Sequence, residues 1–216
     1  MFNLKKSGNF EYFVENSKVF ITRYLGSEEK LVIPNMIDGD LVVSIEEKSF
    51  SNCNTVKYIE MPKELKFISK NAFLECENLK RIKLNKGLKS IGFGAFSKCK
   101  NLENIEMEGV ELIEKYAFLY CRNLKSLKNL GDIGNIEEWA FGECSNLEFL
   151  NIDGNVGTID KEALIGCKSL KSIDISGNIE CIREDALLGC RSLEKIKISD
   201  REFDLRGVPA SQFSIN

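Results

Sequence analysis

From Ile45 to Ile198 the apolar residues of the chain return in a fixed frame. One copy reads Ile68, Ala72, Phe73, Cys76, Leu79, Ile82, Leu84 and Leu88, and the next reads Ile91, Ala95, Phe96, Cys99, Leu102, Ile105 and Met107. Later copies keep it at Ile113, Ala117, Phe118, Cys121, Leu124 and Leu127, then at Ile136, Ala140, Phe141, Cys144, Leu147, Leu150 and Ile152. The last two replace Phe by Leu164 and Leu187, and the first uses Ser49 for Ala and Val56 for Leu. Cysteine marks the phase most cleanly: Cys53, Cys76, Cys99, Cys121, Cys144, Cys167 and Cys190 recur every 23 residues, apart from one 22-residue step between Cys99 and Cys121. A fixed period of roughly 20 to 50 residues is the signature of a solenoid. The short step falls at Glu108-Gly109-Val110, a loop placed to absorb the missing residue without moving a strand.

Within a copy, Leu79-x-x-Ile82-x-Leu84 alternates at its end, which predicts a short strand with Ile82 and Leu84 inward and Arg81 and Lys83 outward. Ile68 to Cys76 carries apolar residues at i, i+4, i+5 and i+8, which predicts one or two helical turns capped by Asn71 or a polar neighbour. The expected class is therefore α/β, each coil holding one strand, a turn and a short helix. Stacking must supply what a lone coil lacks, with each strand pairing to the next and each Phe packing on the one below. Phe96 has Phe73 and Phe118 as neighbours, whereas Phe50 has one Phe neighbour and is expected to contribute less.

The ends leave the frame. Phe10 to Val14 and Val19 to Leu25 flank Glu15-Asn16-Ser17-Lys18, a pattern that predicts a β-hairpin cap over the open N-terminal edge. Phe203, Leu205, Val208, Pro209, Phe213 and Ile215 either cap the last coil or mark where a longer array was cut. The expected division is 1–44 for the N-terminal β cap and incomplete first coil, 45–200 for seven repeats of 22 or 23 residues, and 201–216 for a C-terminal cap or tail.

From about Leu31 to Ile198, the frame I-x3-A-F-x2-C-x2-L-x2-I-x-L resembles the bacterial BspA-like leucine-rich repeat family. The opening, Leu31-Val32-Ile33-Pro34, Ile37-Asp38-Gly39 and Val42-Val43-Ser44-Ile45, is similar to the segment that starts such arrays. The resemblance implies a curved leucine-rich repeat solenoid with a parallel sheet on its concave side and short helical turns opposite. It also implies use in adhesion or protein recognition, often on cell surfaces, and no catalytic residues. The chain departs from the family in keeping the Pro that usually follows the strand only at Pro34 and Pro62.

Composition narrows the function. Thirty Lys and Arg against 33 Asp and Glu leave a net charge of -3, and the charges are interspersed, which argues against a nucleic-acid binder or a binder of anionic membranes. The chain has no histidine, which excludes Ser-His-Asp and Cys-His machinery, His-ligated zinc and imidazole acid–base chemistry. With no P-loop, G-x-G-x-x-G or G-x-S-x-G either, no enzyme activity, cofactor or metal is expected. No run approaches the roughly 18 apolar residues of a membrane span, so no membrane insertion is expected. Polar residues follow Met1 to Lys6 where a secretory signal would be apolar. That predicts a cytoplasmic chain as given, or a surface protein if an export signal lies outside it.

Three groups are candidates for chemistry or binding. The repeat cysteines occupy an apolar slot and are expected to be a buried ladder of free thiols, leaving the out-of-phase Cys181 as the most reactive. Glu106, Glu108, Asp153 and Asp174 read as charged rungs on a wet face, which does not split pKa values as acid–base catalysis requires. The outward strand positions are the predicted partner-binding face: Tyr58, Arg81, Lys83, Asn104, Glu106, Lys128, Phe149 and Asn151. Aromatic residues concentrate binding energy at interfaces, which puts weight on Tyr58 and Phe149. On the opposite side, Tyr116, Leu119 and Trp139 form a secondary patch, readable as an interface or as a stack satisfied within the chain. The expected function is a noncatalytic protein-binding or adhesion module. The alternative is a cytosolic interaction or inhibitor protein using the same surface, and in either case the partner is a protein, with host and cell-surface proteins among the candidates.

Overall fold

A computed structural model describes residues 3–215, with every side chain in that range except those of Lys128 and Asn129. The chain enters through β1 (Lys5–Ser7), β2 (Phe10–Glu15) and β3 (Lys18–Tyr24), followed by β4 (Lys30–Val32), β5 (Met36–Ile37) and β6 (Asp40–Ile45). From there it winds regularly through two sets of strands. One set is β7 (Tyr58–Glu60), β9 (Arg81–Lys83), β11 (Asn104–Glu106), β13 (Ser126–Leu130), β15 (Phe149–Ile152), β17 (Ser172–Ile175) and β19 (Lys195–Ile198). Between them come β8 (Phe67–Ile68), β10 (Ser90–Ile91), β12 (Leu112–Ile113), β14 (Ile133–Ile136), β16 (Val156–Ile159) and β18 (Ile179–Ile182). After β19 the chain turns back as β20 (Arg201–Asp204) and closes with a 3-10 turn at Ala210–Gln212.

Two sheets result. Sheet B runs β20-β19-β17-β15-β13-β11-β9-β7-β4, and its eight strands from β4 to β19 are parallel, which counts about eight coils. Sheet A runs β1-β2-β3-β6-β8-β10-β12-β14-β16-β18, with β5 beside β6. The fold is a parallel β-solenoid of leucine-rich repeats, and each coil contributes two strands where the sequence predicted one.

The expected helices are not there, and the α/β assignment is corrected to a β-solenoid: among the described residues the sole helical element is the 3-10 turn at Ala210–Gln212. Backbone hydrogen bonding gives the reason. In the coil from Ile68 to Cys76, the amides of Ala72, Leu74 and Cys76 donate three residues back, to Ser69, Asn71 and Phe73. The amides of Asn71, Phe73 and Glu75 donate instead to Phe93, Ala95 and Ser97 of the next coil, at 2.7 to 2.9 Å. A helix would consume all these donors internally, whereas the alternation sends half of them across the stack. Left-handed residues break the helical path twice per coil, here at Asn71 (φ 55) and Glu75 (φ 60). The apolar spacing i, i+4, i+5, i+8 is met equally well by such turns, so the periodicity did not distinguish them from a helix.

Burial follows the frame. Ala72, Phe73, Leu79, Leu88, Ala95, Phe96, Cys99 and their later equivalents are fully buried. The rings form a continuous ladder: Tyr24, Phe50, Phe73, Phe96, Phe118 and Phe141 stack with centroids 4.8 to 5.3 Å apart. Beside it the cysteines donate S–H bonds to carbonyls of the preceding coil, Cys76 to Phe50 at 3.0 Å, Cys99 to Phe73 at 3.2 Å and Cys121 to Phe96 at 3.1 Å. All eight cysteines are free thiols, six buried and Cys53 and Cys181 half-buried. Burial holds the Cys99, Cys121, Cys144 and Cys167 thiols well above the usual thiol range. The short step is absorbed near Gly109, which turns with φ 86 where an added Cβ would meet the Lys86 carbonyl at 2.3 Å.

At the N-terminus β2 and β3 pair antiparallel, and β3 lies parallel to β6 on the edge of sheet A. Tyr12, fully buried, donates its hydroxyl to Asp38, which also accepts from Ser7.

Candidate binding surface

Because side chains alternate across a strand, the middle residue of each short sheet B strand, Ile59, Ile82, Ile105 and Leu127, enters the core and its neighbours face out. Parallel pairing in register then aligns the outward residues of successive coils. Tyr58, Arg81, Asn104, Ser126 and Phe149 stand opposite one another in one column, spanning four strand steps, or roughly 19 Å at about 4.8 Å per step. Glu60, Lys83 and Glu106 form a second column, whose backbone register continues to Lys128. Lys128 itself lies outside the residues whose side chains are described. The second column breaks at β13, where the register with β15 shifts between Leu127 and Leu130, so Asn151 continues toward Asp174 rather than lining up with Lys128.

Of the predicted residues, Arg81, Lys83, Asn104 and Glu106 are exposed, and Tyr58 and Asn151 are half-buried. Phe149 is 39% exposed, flanked in register by Ser126 and Ser172, with the Lys171 ammonium 5.7 Å from its ring centre. Two small neighbours leave the ring standing above the sheet, and Lys171 is itself tied to Glu148 at 2.6 Å. Lys83 pairs with Glu60 at 3.5 Å with both side chains largely exposed, a contact worth little. At the N-terminal end of the face, β4, β7, β9 and β11 enclose a shallow hollow of about 490 Å³. Its rim brings in Lys30 and Val32, which the sequence reading did not include. Their signal was the opening segment Leu31-Val32-Ile33, which begins the same alternation one coil before the first cysteine.

The secondary patch is largely satisfied within the chain. Trp139 donates its indole N–H to Glu162 at 2.9 Å, its ring lies 6.5 Å from that of Tyr116, and Leu119 packs beside it over Gly142. Tyr116 meets Phe93 edge-on at 5.2 Å, and Lys70 sits 5.4 Å from the Phe93 ring centre. The aromatic row thus runs from Phe93 through Tyr116 to Trp139 with a charged partner at each end. Phe93 was missed because its column is otherwise polar: Lys70, Lys115, Glu138, Lys161 and Glu184. Tyr116 and Trp139 hold left-handed backbones (φ 61 and 59), but Lys48, Glu162 and Asp185 do the same at this position, so the strain belongs to the coil and not to a site.

Among the described residues no cluster of three or more cysteines and carboxylates is placed to hold a metal ion, and no helix is long and apolar enough to cross a membrane.

Two stacked sheets of short parallel rungs, joined by turns that bond coil to coil around a Phe and Cys ladder, define a leucine-rich repeat protein. The model of the BspA type leucine rich repeat region matches residues 27–148 and 107–207, in six copies, and the chain belongs to that family. Among solved structures the chain is similar to the leucine rich repeat protein of T. pallidum, with 25% identity over 77% of this chain and 91% of that one, at a TM-score of 0.59. A leucine rich cell surface protein of Faecalibacterium prausnitzii A2-165 matches at 18% identity, covering 90% of this chain and 88% of that one, at a TM-score of 0.48. A leucine-rich repeat protein of Bacteroides ovatus matches at 17% identity, covering 89% and 94%, at 0.43. No curated protein sequence matches the chain.

Proposed function

We propose that the protein is a noncatalytic protein-binding or adhesion module that presents the outer face of sheet B, from Tyr58 to Asn151, as a rigid platform. The observation that carries this reading is the register: five outward residues from five coils, ending in Tyr58 and Phe149, stand in one column on a backbone bonded coil to coil. A surface held this way binds without a large ordering cost, and its two aromatics are the residue type that anchors interfaces. The family is one of repeat scaffolds whose partners are generally proteins. In this reading residues 1–44 serve as the N-terminal cap and incomplete first coil, 45–200 as the seven repeats that carry the face, and 201–216 as the C-terminal cap.

The test is a ranking of two variants against the native partner. Truncating an interface anchor typically costs above about 2 kcal/mol, so Phe149→Ala weakens binding by about 30-fold or more with the fold intact. Trp139→Ala, which breaks a stack satisfied within the chain, leaves binding nearly unchanged. Loss with Trp139→Ala and none with Phe149→Ala defeats the assignment and moves the site to the turn side.

A further inference from the structure

A solenoid ends in open sheet edges, and an open edge presents unpaired backbone groups to any strand that fits them. Three of the four sheet ends are covered. The hairpin of β2 and β3 lies on one end of sheet A, and β20 folds back antiparallel on β19 at the far end of sheet B. At the remaining end of sheet A, Ile182 and Ile215 exchange both backbone hydrogen bonds, at 2.8 and 3.0 Å. The fourth end is β4. The Ile33 amide donates to Glu60 at 3.0 Å, and Glu29 accepts from Lys57 and Tyr58, so residues 29, 31 and 33 turn their backbone groups toward β7. The N–H and C=O of Lys30 and Val32 point the other way and meet no partner among the described residues.

Space and charge at this edge both fit a ligand. A hollow of about 390 Å³ lies along β4, with Gly8 and Phe10 on one side and Val32 and Met36 on the other. Val32 is 66% exposed and Met36 50%. The acids nearby are engaged: Glu29 with Lys57 at 3.0 Å, Glu60 with Lys83 at 3.5 Å, and Glu28 with Tyr24 and Asn9. The cations are not. Lys30, on the edge strand, and Arg81, two strands in on the same column, make no ion pair among the described residues.

We infer that β4 is an acceptor edge for an extended, acidic segment of a protein partner, which adds to sheet B as a further strand through Lys30 and Val32. The inference rests on the protein-binding reading for the nature of the partner. Every second residue of the added strand faces outward beside Lys30 and Val32, where carboxylates meet the uncompensated positive field. The residues between face the hollow, where apolar side chains cover Val32 and Met36. A second copy of the chain fits less well, because it brings another Lys30 and Arg81 against the first pair.

The probe is an acetylated, fluorescein-labelled hexapeptide alternating Glu and Val, with a Lys and Val peptide as control, followed by fluorescence anisotropy at low salt. The Glu peptide binds at least about tenfold more tightly than the Lys peptide, and Lys30→Glu reverses that order. Val32→Pro weakens the Glu peptide by about tenfold, since it removes an outward N–H while leaving the bonds to β7, and proline is tolerated on an edge strand. N-methylation of the peptide's central residues produces the same loss with the wild-type protein, so the result stands if Val32→Pro fails to fold. No binding by the Glu peptide, equal binding of the two peptides, or indifference to both Val32→Pro and N-methylation overturns the inference. Concentration-dependent dimerisation abolished by Val32→Pro assigns the edge to a second copy and overturns it as well. None of these outcomes touches the Phe149 ranking, which tests the sheet face separately.

Discussion

Replacing Phe50 tests whether the N-terminal segment stands in for a coil. The sequence counts one Phe neighbour for Phe50, which sets its loss below that of Phe96. In the structure Phe50 is 2% exposed and sits between Phe73, at 4.8 Å, and Tyr24, at 5.1 Å and 20°. Phe96 is fully buried between Phe73 at 5.1 Å and Phe118 at 5.3 Å. Truncating either ring forfeits its transfer free energy and opens a cavity in a ladder whose neighbours are fixed by backbone bonds, a loss of about 3 to 5 kcal/mol. Tyr24 gives Phe50 what Phe118 gives Phe96, so the two losses agree to within about 1 kcal/mol. Urea unfolding followed by far-ultraviolet circular dichroism and by the fluorescence of Trp139, the only tryptophan, reads both variants. With a slope near 3 kcal/mol/M, each midpoint falls by more than about 1 M. A loss for Phe50→Ala less than half that for Phe96→Ala would refute the reasoning and show that Tyr24 does not continue the ladder.

Thiol titration of the folded protein should label Cys181 first and Cys53 more slowly, because burial pushes the Cys53 thiol up; the six buried thiols should react only in denaturant, and rapid labelling of any of those six would contradict the ladder. The hydroxyl donated to Asp38 pushes Tyr12 from 10.0 up to about 12, so its stabilising effect is complete below pH 10 and is lost as pH rises through about 12. Absorbance at 295 nm should show one of the five tyrosines ionising late, and Asp38→Ala should remove that step; joint ionisation of all five in the wild type would refute it. Asp38 in turn is held below the usual carboxylate range by the bonds from Tyr12 and Ser7, so its contribution is present above 3.8 and fades only as pH falls through the lower folded value. Asp38→Asn should therefore flatten the acid limb of stability below that pH, and an unchanged limb would count against the pairing.

The solenoid was legible because its period is written in the largest and most buried side chains: Phe73, Phe96, Phe118 and Phe141 mark the ladder, and the cysteines beside them fix the phase. The outward residues of sheet B were legible for the same reason, since Ile82 and Ile105 alternate with them. Sheet A was not, because rungs such as Ser90–Ile91 have two residues and alternation needs more. The turns passed for helices because left-handed positions have only a partial signature. Asn71 and Gly94 stand in one such column and Asn52, Gly166 and Gly189 in the other, but Tyr116, Trp139 and Glu143 dilute it. The open edge at β4 was hidden because it depends on what is missing from one side of a strand, a property of the assembled stack.

The central claim is that the partner meets the outer face of sheet B. A photo-crosslinking amino acid placed at Asn104, exposed at the middle of the column, and at Lys161, exposed on the turn side, tests it directly. Irradiation with the native partner present should give a covalent adduct from position 104 and none from 161. An adduct from 161 with none from 104 would contradict the account.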